Sequence, residues 1–280
     1  MSDKKELTFT PKSLPLFQNF ALTSKQIVKT LRSFDIMEWD DTPYGAHPEQ
    51  RMTMFELNDL APRDGWPTVL MIHGGGWVSG SPRSMDHIAP LFARHGVMAC
   101  TMQYRLAPQH PWPAQAQDVH TALDFLRSQQ VDLSRIALWG FSAGAHLALH
   151  AAQTYSHPIA AVVAIAPPVD LHAISFDMLS PCFQEEQLQE ANIFDKRNKL
   201  PPTLLLHGTS DSIFPYVHSR RFAQIEDQVT YWEIEGGNHG LHWPLIRGRR
   251  AKRKAISWLV SALDLPSRGS KWKRRKKKNR

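Results

Sequence analysis

Only two cysteines occur in 280 residues, Cys100 and Cys182, and they lie far apart without metal-ligand spacing. A disulfide framework and a thiolate metal site are both excluded by that count, and the pair is read as reduced thiols. Cys100 sits in the apolar run GVMACTMQY and reads as a core residue rather than a nucleophile. No apolar run reaches the roughly 18 residues that a membrane-spanning helix needs. The opening stretch MSDKKELTFTPKSLPLF lacks a contiguous apolar core followed by a small-residue cleavage site, so nothing reads as a secretory signal and a cytoplasmic protein is expected. Internal repeats are absent. Acid is missing from the last fifteen residues, PSRGSKWKRRKKKNR, which hold nine Lys or Arg. Without those nine the 33 basic residues fall to 24 against 26 acidic ones, and the formal charge of +7 becomes −2. The basicity therefore belongs to a tail at 266–280, expected to be disordered because like charges repel and bury nothing. A salt-sensitive contact with nucleic acid or another anionic surface is the partner it implies. The cluster RGRRAKRK at 247–254 is expected on the solvated face of a terminal helix.

What is present is a rhythm. Hydrophobic residues make up 42 % of the chain, enough for one large α/β domain over 1–265 without a long linker. TVLMIH (68–73), GVMACTMQ (96–103), RIALWG (135–140), AAVVAIAP (160–167), TLLLHG (203–208) and VTYWEIE (229–235) read as successive strands. The stretches between them carry helical patterns, and strand alternating with helix implies a doubly wound, mostly parallel sheet covered on both faces. RMTMFEL (51–57) reads as a further strand, antiparallel at one edge. Residues 1–45 and 168–200 do not follow the rhythm. They are expected to cover the active end of the sheet as a small lid, with Phe17, Phe20, Phe176 and Met178 among their apolar residues.

In such sheets the reacting groups collect at the carboxyl ends of the strands. HGGGW (73–77) follows the first buried strand, Ser142 the third, HGTSD ending at Asp211 the fifth, and GGNHG with His239 the sixth. Gly140 and Gly144 flank Ser142 at the G-x-S-x-G spacing, where missing side chains let a strand and an alanine-rich helix approach around a sharply bent residue. Ser142 is the candidate nucleophile, His239 the base that takes its proton, and Asp211 the carboxylate that orients the imidazole. Backbone N–H groups of Gly75, Gly76 and Ala143 are the candidate oxyanion donors. Trp77, Phe141 and Phe214 border these motifs as candidate pocket walls or packed aromatics.

Other histidines offer competing readings. His242 is the rival to His239 as base. His73 is expected to brace the glycine loop, and His207 to be structural. His146 and His150 stand four apart on the elbow helix, which is expected to be buried, so they read as satisfied core histidines rather than ligands. No metal and no cofactor are expected.

The motifs HGGGWVSGSP, YRLAPQHPWPAQAQDV, GFSAGAHLA, HGTSDSIFP and GGNHG resemble those of the α/β-hydrolase fold, in its hormone-sensitive-lipase-like carboxylesterase group, across about residues 36–262. The resemblance implies a glycine loop that forms the oxyanion hole, and a scaffold role for Tyr104, Pro108, Pro113 and Asp118. Where many relatives carry DPLRDE around the acidic member, this chain has TSDSIFP, closer to short-lid esterases, which argues against a large cap and a long-chain lipid substrate. The expected activity is serine-dependent cleavage of short-chain acyl esters. SAGAHL also resembles arylformamidases, and DDTPYGAHPEQRMTMFEL resembles the opening segment of esterases acting on acetyl or feruloyl groups of plant polysaccharides. Amide hydrolysis by the same triad, and a non-catalytic binding role, are the alternatives.

Overall fold

Strand segments with an unbroken apolar pattern need cover on both faces, and the chain supplies it from helices on either side of one sheet. The computed structural model describes residues 28–31, 36–194, 200–241 and 245–265. Phe17, Phe20, His242 and the 266–280 tail lie outside them. The strands are β1 (Val28–Leu31), β2 (Ile36–Pro43), β3 (Arg51–Leu57), β4 (Trp66–Ile72), β5 (Met98–Met102), β6 (Val131–Phe141), β7 (Ala161–Ile165), β8 (Thr203–Gly208) and β9 (Val229–Ile234). The α-helices are α1 (Ala89–Ala93), α2 (Ala114–Arg127), α3 (Ala143–Thr154), α4 (Phe176–Leu179), α5 (Leu188–Ala191), α6 (Tyr216–Ile225) and α7 (Leu245–Ala262). The strands form one sheet in the order β1-β2-β3-β5-β4-β6-β7-β8-β9. From β5 to β9 all neighbours run parallel, and β1, β2 and β3 join antiparallel.

The period-two alternation of the central strands divides the core between the two faces. Leu70, Ile72, Leu138, Val162 and Leu205 point into one apolar cluster with α2, α3 and α6 residues such as Val119, Leu147 and Phe222. Val69, Met71, Ala137, Trp139, Val163 and Leu204 point into the other, with Phe92 of α1 and Ile256 and Leu259 of α7. No helix among the described residues is long and apolar enough to cross a membrane.

Two differences from the sequence reading concern the sheet's antiparallel side. RMTMFEL is antiparallel as expected but is not an edge, because β2 pairs with its far side. Residues 28–31 and 36–43, placed by pattern in a covering segment, are β1 and that strand: IMEWDDTP lacks a clean apolar alternation because Asp40 and Asp41 interrupt it at a break in register between Trp39 and Thr42.

The segment after β7 packs against α3. Its α4 and α5 are each four residues long, and two 3₁₀ turns accompany them. Leu179, Cys182, Phe183, Leu188 and Ile193 are buried in the same cluster as α3. Polar bonds pin it further. Trp112 N–H donates to the Cys182 carbonyl (2.8 Å), Trp112 Nε1 donates to Glu190 Oε2 (2.6 Å), and Gln187 Nε2 donates to the Trp112 carbonyl (3.1 Å). His146 Nε2 of α3 donates to the Ala191 carbonyl at 2.9 Å. Phe176 and Met178 of α4 are exposed.

Candidate active site

Ser142 stands between β6 and α3 with φ 53° and ψ −123°, a left-handed conformation that a serine adopts only when its surroundings impose it. Those surroundings are close. A Cβ on Gly144 would run into the carbonyls of Ile72 and His73 at the end of β4, so only glycine lets α3 start against that strand. Ser142 N–H is anchored to the Ile165 carbonyl of β7 at 2.8 Å. The small residues Ala143, Ala145, Ala148 and Ala151 of α3 are buried against the sheet.

The glycine loop lies beside this elbow. Gly75 has φ 127°, and a Cβ there would collide with the Ser79 carbonyl, so the loop folds over itself only with glycine at this position. Val78 and Ser79 N–H both donate to the Gly75 carbonyl, at 3.2 and 3.0 Å. His73 braces the loop: its Nδ1 is 2.7 Å from the Gly74 carbonyl and its ring stacks on Tyr104 at 4.3 Å. Burial lowers the His73 pKa, which favours the neutral ring that such bracing needs. Tyr104 OH in turn donates to the His73 carbonyl at 3.1 Å. Ala143 is the first residue of α3, where a helix leaves backbone N–H groups without intrahelical partners.

The loops after β8 and β9 are bound to one another. Thr209 N–H donates to the Ile234 carbonyl (3.0 Å), Ser210 N–H to the Gly237 carbonyl (2.9 Å), and Gly236 N–H to Thr209 Oγ1 (2.8 Å). This brings the Asp211 and His239 side chains together. His239 Nδ1 is 2.7 Å from Asp211 Oδ2, and His239 Nε2 is 2.9 Å from Ser142 Oγ. With the carboxylate as acceptor, Nδ1 carries the hydrogen and Nε2 offers its lone pair to the serine hydroxyl. Asp211 Oδ1 accepts N–H bonds from Ile213 and Phe214, each at 2.9 Å. Burial alone pushes the Asp211 carboxyl up; hydrogen bonds from His207, His239, Phe214 and Ile213 outweigh it and hold the pKa well below the usual carboxylate range.

The structure thus brings Ser142, Asp211 and His239 into one hydrogen-bonded line. Phe141 and Phe214 flank it, each with its ring centroid 5.3 Å from that of His239. Phe141 also lines a cavity of ≈ 160 Å³ with Met85, Ile88, Trp139, Leu241 and Lys252. Trp77 is 1 % exposed and packs edge-on against His146 and Phe183, so the structure gives its ring to the core. His207 is more than a strand-end residue, since it too binds Asp211 Oδ2, at 2.9 Å. Its four-residue spacing from Asp211 in HGTSD was the available signal, but spacing alone does not show which way a ring at the end of a strand turns. His47, Glu49 and His110 lie close enough to share a cation, with ligand atoms within 4.8 Å of one another. Glu49 N–H already donates to His47 Nδ1 at 3.2 Å, which engages one of the two imidazole nitrogens.

Asp118, fully buried, accepts bonds from Arg105 N (2.7 Å), Arg105 NH2 (2.7 Å) and Gln50 Nε2 (2.7 Å). Burial pushes the Cys182 thiol up to about 12 and the Cys100 thiol beyond it, so neither is a nucleophile at neutral pH.

A mostly parallel sheet with helices on both faces, a serine elbow after β6 and a histidine after β9 make up the α/β-hydrolase fold, and the family model for the alpha/beta hydrolase fold matches residues 69–196. Within that fold the chain is similar to proteins named as esterases. It is 28 % identical over 246 residues to Esterase LipC of Mycobacterium tuberculosis, covering 74 % of this chain and 60 % of that protein. An acetyl-hydrolase of Streptomyces hygroscopicus is 29 % identical over 226 residues, covering 70 % of this chain and 76 % of the relative. Among solved structures, a truncated carbohydrate esterase from gut microbiota superposes with a TM-score of 0.70 at 19 % identity, covering 81 % of this chain and 96 % of the other. The chain spans 60 % of the length of the Mycobacterium tuberculosis esterases LipC and LipQ.

Proposed function

We propose that this chain is a serine carboxylesterase that cleaves short-chain acyl esters through an acyl-enzyme intermediate. The observation that carries the reading is the continuous line from Asp211 Oδ2 through His239 to Ser142 Oγ, with links of 2.7 and 2.9 Å. Ser142 Oγ attacks the ester carbonyl carbon while its proton passes to His239 Nε2, and the carbonyl π electrons move onto oxygen. N–H groups of Gly75, Gly76 and Ala143 receive that oxyanion. Asp211 keeps the imidazole in the Nδ1–H tautomer and stabilises the imidazolium. When the oxyanion reforms the carbonyl, the C–O bond to the alcohol breaks and the leaving oxygen takes the proton from Nε2. Water then loses a proton to His239 Nε2 and attacks the acyl carbon; as the carbonyl reforms, the bond from that carbon to Ser142 Oγ breaks, Oγ takes the proton back from Nε2, and the acid is released.

Short acyl groups are favoured by the covering segment. The segment is tied to α3 by His146 and to the stretch before α2 by the bonds of Glu190 and Gln187 with Trp112, and Ser142 is only 5 % exposed. One relative is named an acetyl-hydrolase, in keeping with that preference. Phe141 and Phe214 stand where they can wall the acyl or alcohol side. The acid-free 266–280 run supports a separate, salt-sensitive contact with an anionic surface, in a protein working in the cytoplasm.

Turnover of p-nitrophenyl acetate and butyrate is expected for the full chain and lost in Ser142→Ala, with Ser142 labelled by a fluorophosphonate. Equal turnover by both proteins would end the reading. A panel extending to longer acyl chains and N-formylkynurenine separates short-chain esterase from amidase activity. Deleting 266–280 is expected to abolish heparin retention and leave turnover unchanged.

A further inference from the structure

His207 takes no part in the chemistry just described, yet it is bonded to that chemistry's carboxylate. It is fully buried at the end of β8. Its Nε2 is 2.9 Å from Asp211 Oδ2 and 2.9 Å from the Phe214 carbonyl, and its Nδ1 is 2.8 Å from Ser219 Oγ on α6. Two acceptors facing one nitrogen require a hydrogen on it, because a lone pair there would oppose both oxygens. In the neutral ring Nδ1 is then the acceptor, and the Ser219 hydroxyl, itself buried, is its donor. Ser219 thereby selects the tautomer. Phe214 closes a small ring of bonds: its N–H donates to Asp211 Oδ1, and its carbonyl receives the His207 hydrogen.

The consequence falls on Asp211. Ile213 and Phe214 occupy Oδ1, and Oδ2 is shared by two imidazoles, His207 and His239. Removing His207 would leave one lone pair of a buried carboxylate unmet and free the group to rotate toward another donor. The 2.7 Å bond to His239 is the one such a rotation would lengthen. We propose that His207, held in its Nε2–H tautomer by Ser219, is a positioning residue that aims the Asp211 carboxylate at His239. The role rests on the hydrolase reading above, since His207 acts only through Asp211. It extends the hydrogen-bonded line to five residues: Ser219, His207, Asp211, His239 and Ser142.

Two measurements test it. Long-range ¹H–¹⁵N correlation on the labelled full chain reports the ring's tautomer without reference to activity. Nε2–H is expected for His207 in the wild type, with a mixture of tautomers in Ser219→Ala; a wild-type ring protonated at Nδ1 alone overturns the proposal. Steady-state turnover of p-nitrophenyl acetate follows. Ser219→Ala and His207→Leu are expected to lower kcat about tenfold or more with KM nearly unchanged. Ser219→Thr restores the hydroxyl and His207→Gln restores an N–H donor, so each is expected to recover most of the lost kcat. Thermal melting of Ser219→Ala near the wild-type temperature separates this loss from misfolding. Ester turnover that survives in Ser142→Ala overturns the hydrolase reading and this role with it. Ser142-dependent turnover at wild-type kcat in both Ser219→Ala and His207→Leu overturns the role alone.

Discussion

His239 Nε2 lies 2.9 Å from Ser142 Oγ across 97 residues of chain. The two side chains leave the carboxyl ends of β6 and β9, with β7 and β8 lying between those strands in the sheet. Parallel strands put all such ends on one side, so residues far apart in sequence become neighbours at the loops. The loops after β8 and β9 are also bonded to each other, as in the 2.9 Å bond from Ser210 N–H to the Gly237 carbonyl.

Asp211→Asn tests how much the carboxylate does. An amide NH₂ turned toward the two imidazoles cannot accept their hydrogens, and His239 then takes the tautomer with hydrogen on Nε2, facing Ser142. A kcat lower by roughly 10⁴-fold is expected, with the circular dichroism spectrum retained. A loss of only a few-fold would show that His239 is oriented by something else.

Gly144→Ala should act on the fold and the nucleophile together. The added methyl meets the backbone carbonyls of Ile72 and His73, neither of which is a flexible side-chain end. The expected cost is about 1–3 kcal/mol, read as a lower urea midpoint, and p-nitrophenyl acetate turnover falls because α3 and its first N–H move away from Ser142.

Glu56 provides a pH signature independent of the active site. Burial pushes its carboxyl up to about 7 from an ordinary 4.5, against the opposing pull of the Trp39 Nε1 hydrogen bond at 3.1 Å. The folded state therefore holds this proton more tightly than the unfolded chain. Its contribution to stability is present in full below pH 4.5 and is lost as pH rises to about 7. Glu56→Gln keeps the Trp39 bond and has no charge to bury. It is expected to raise stability by about 1–3 kcal/mol at pH 8.5 and to leave it nearly unchanged below pH 4.5, as measured by urea midpoints at both values.

Arg105→Ala leaves the Asp118 carboxylate in place without its cation. Asp118 has no exposed side-chain surface, and the guanidinium that pairs with it at 2.7 Å is gone while the Arg105 N–H and Gln50 Nε2 bonds remain. A destabilisation of about 3–5 kcal/mol is expected, whereas Asp118→Asn combined with Arg105→Met should recover part of it in chemical denaturation.

How much of this was legible in the chain differs from element to element. β4, β7 and β8 are runs of mostly apolar residues bounded by turns, and local pattern finds them because their burial on both faces leaves few polar residues to interrupt it. The serine elbow was equally legible, since Gly140 and Gly144 report a close approach that no side chain would permit. β2 was missed, as its acidic residues mask a strand that depends on pairing with β3. Trp77 could be read as pocket wall or packed aromatic because nothing local shows where Phe183 and His146 will stand.

The sequence by itself determined the order of the strands and helices from β4 onward, the bent serine, and the types and order of the three residues that meet there, because each is encoded within a few neighbouring positions. Only the tertiary structure decided which imidazole reaches Ser142, that a second one shares Asp211, and that Trp112, Gln187 and His146 pin the covering segment. Those are bonds between groups tens of residues apart. Their geometry exists only once the sheet has set its strand order and the loops at one end have closed on each other.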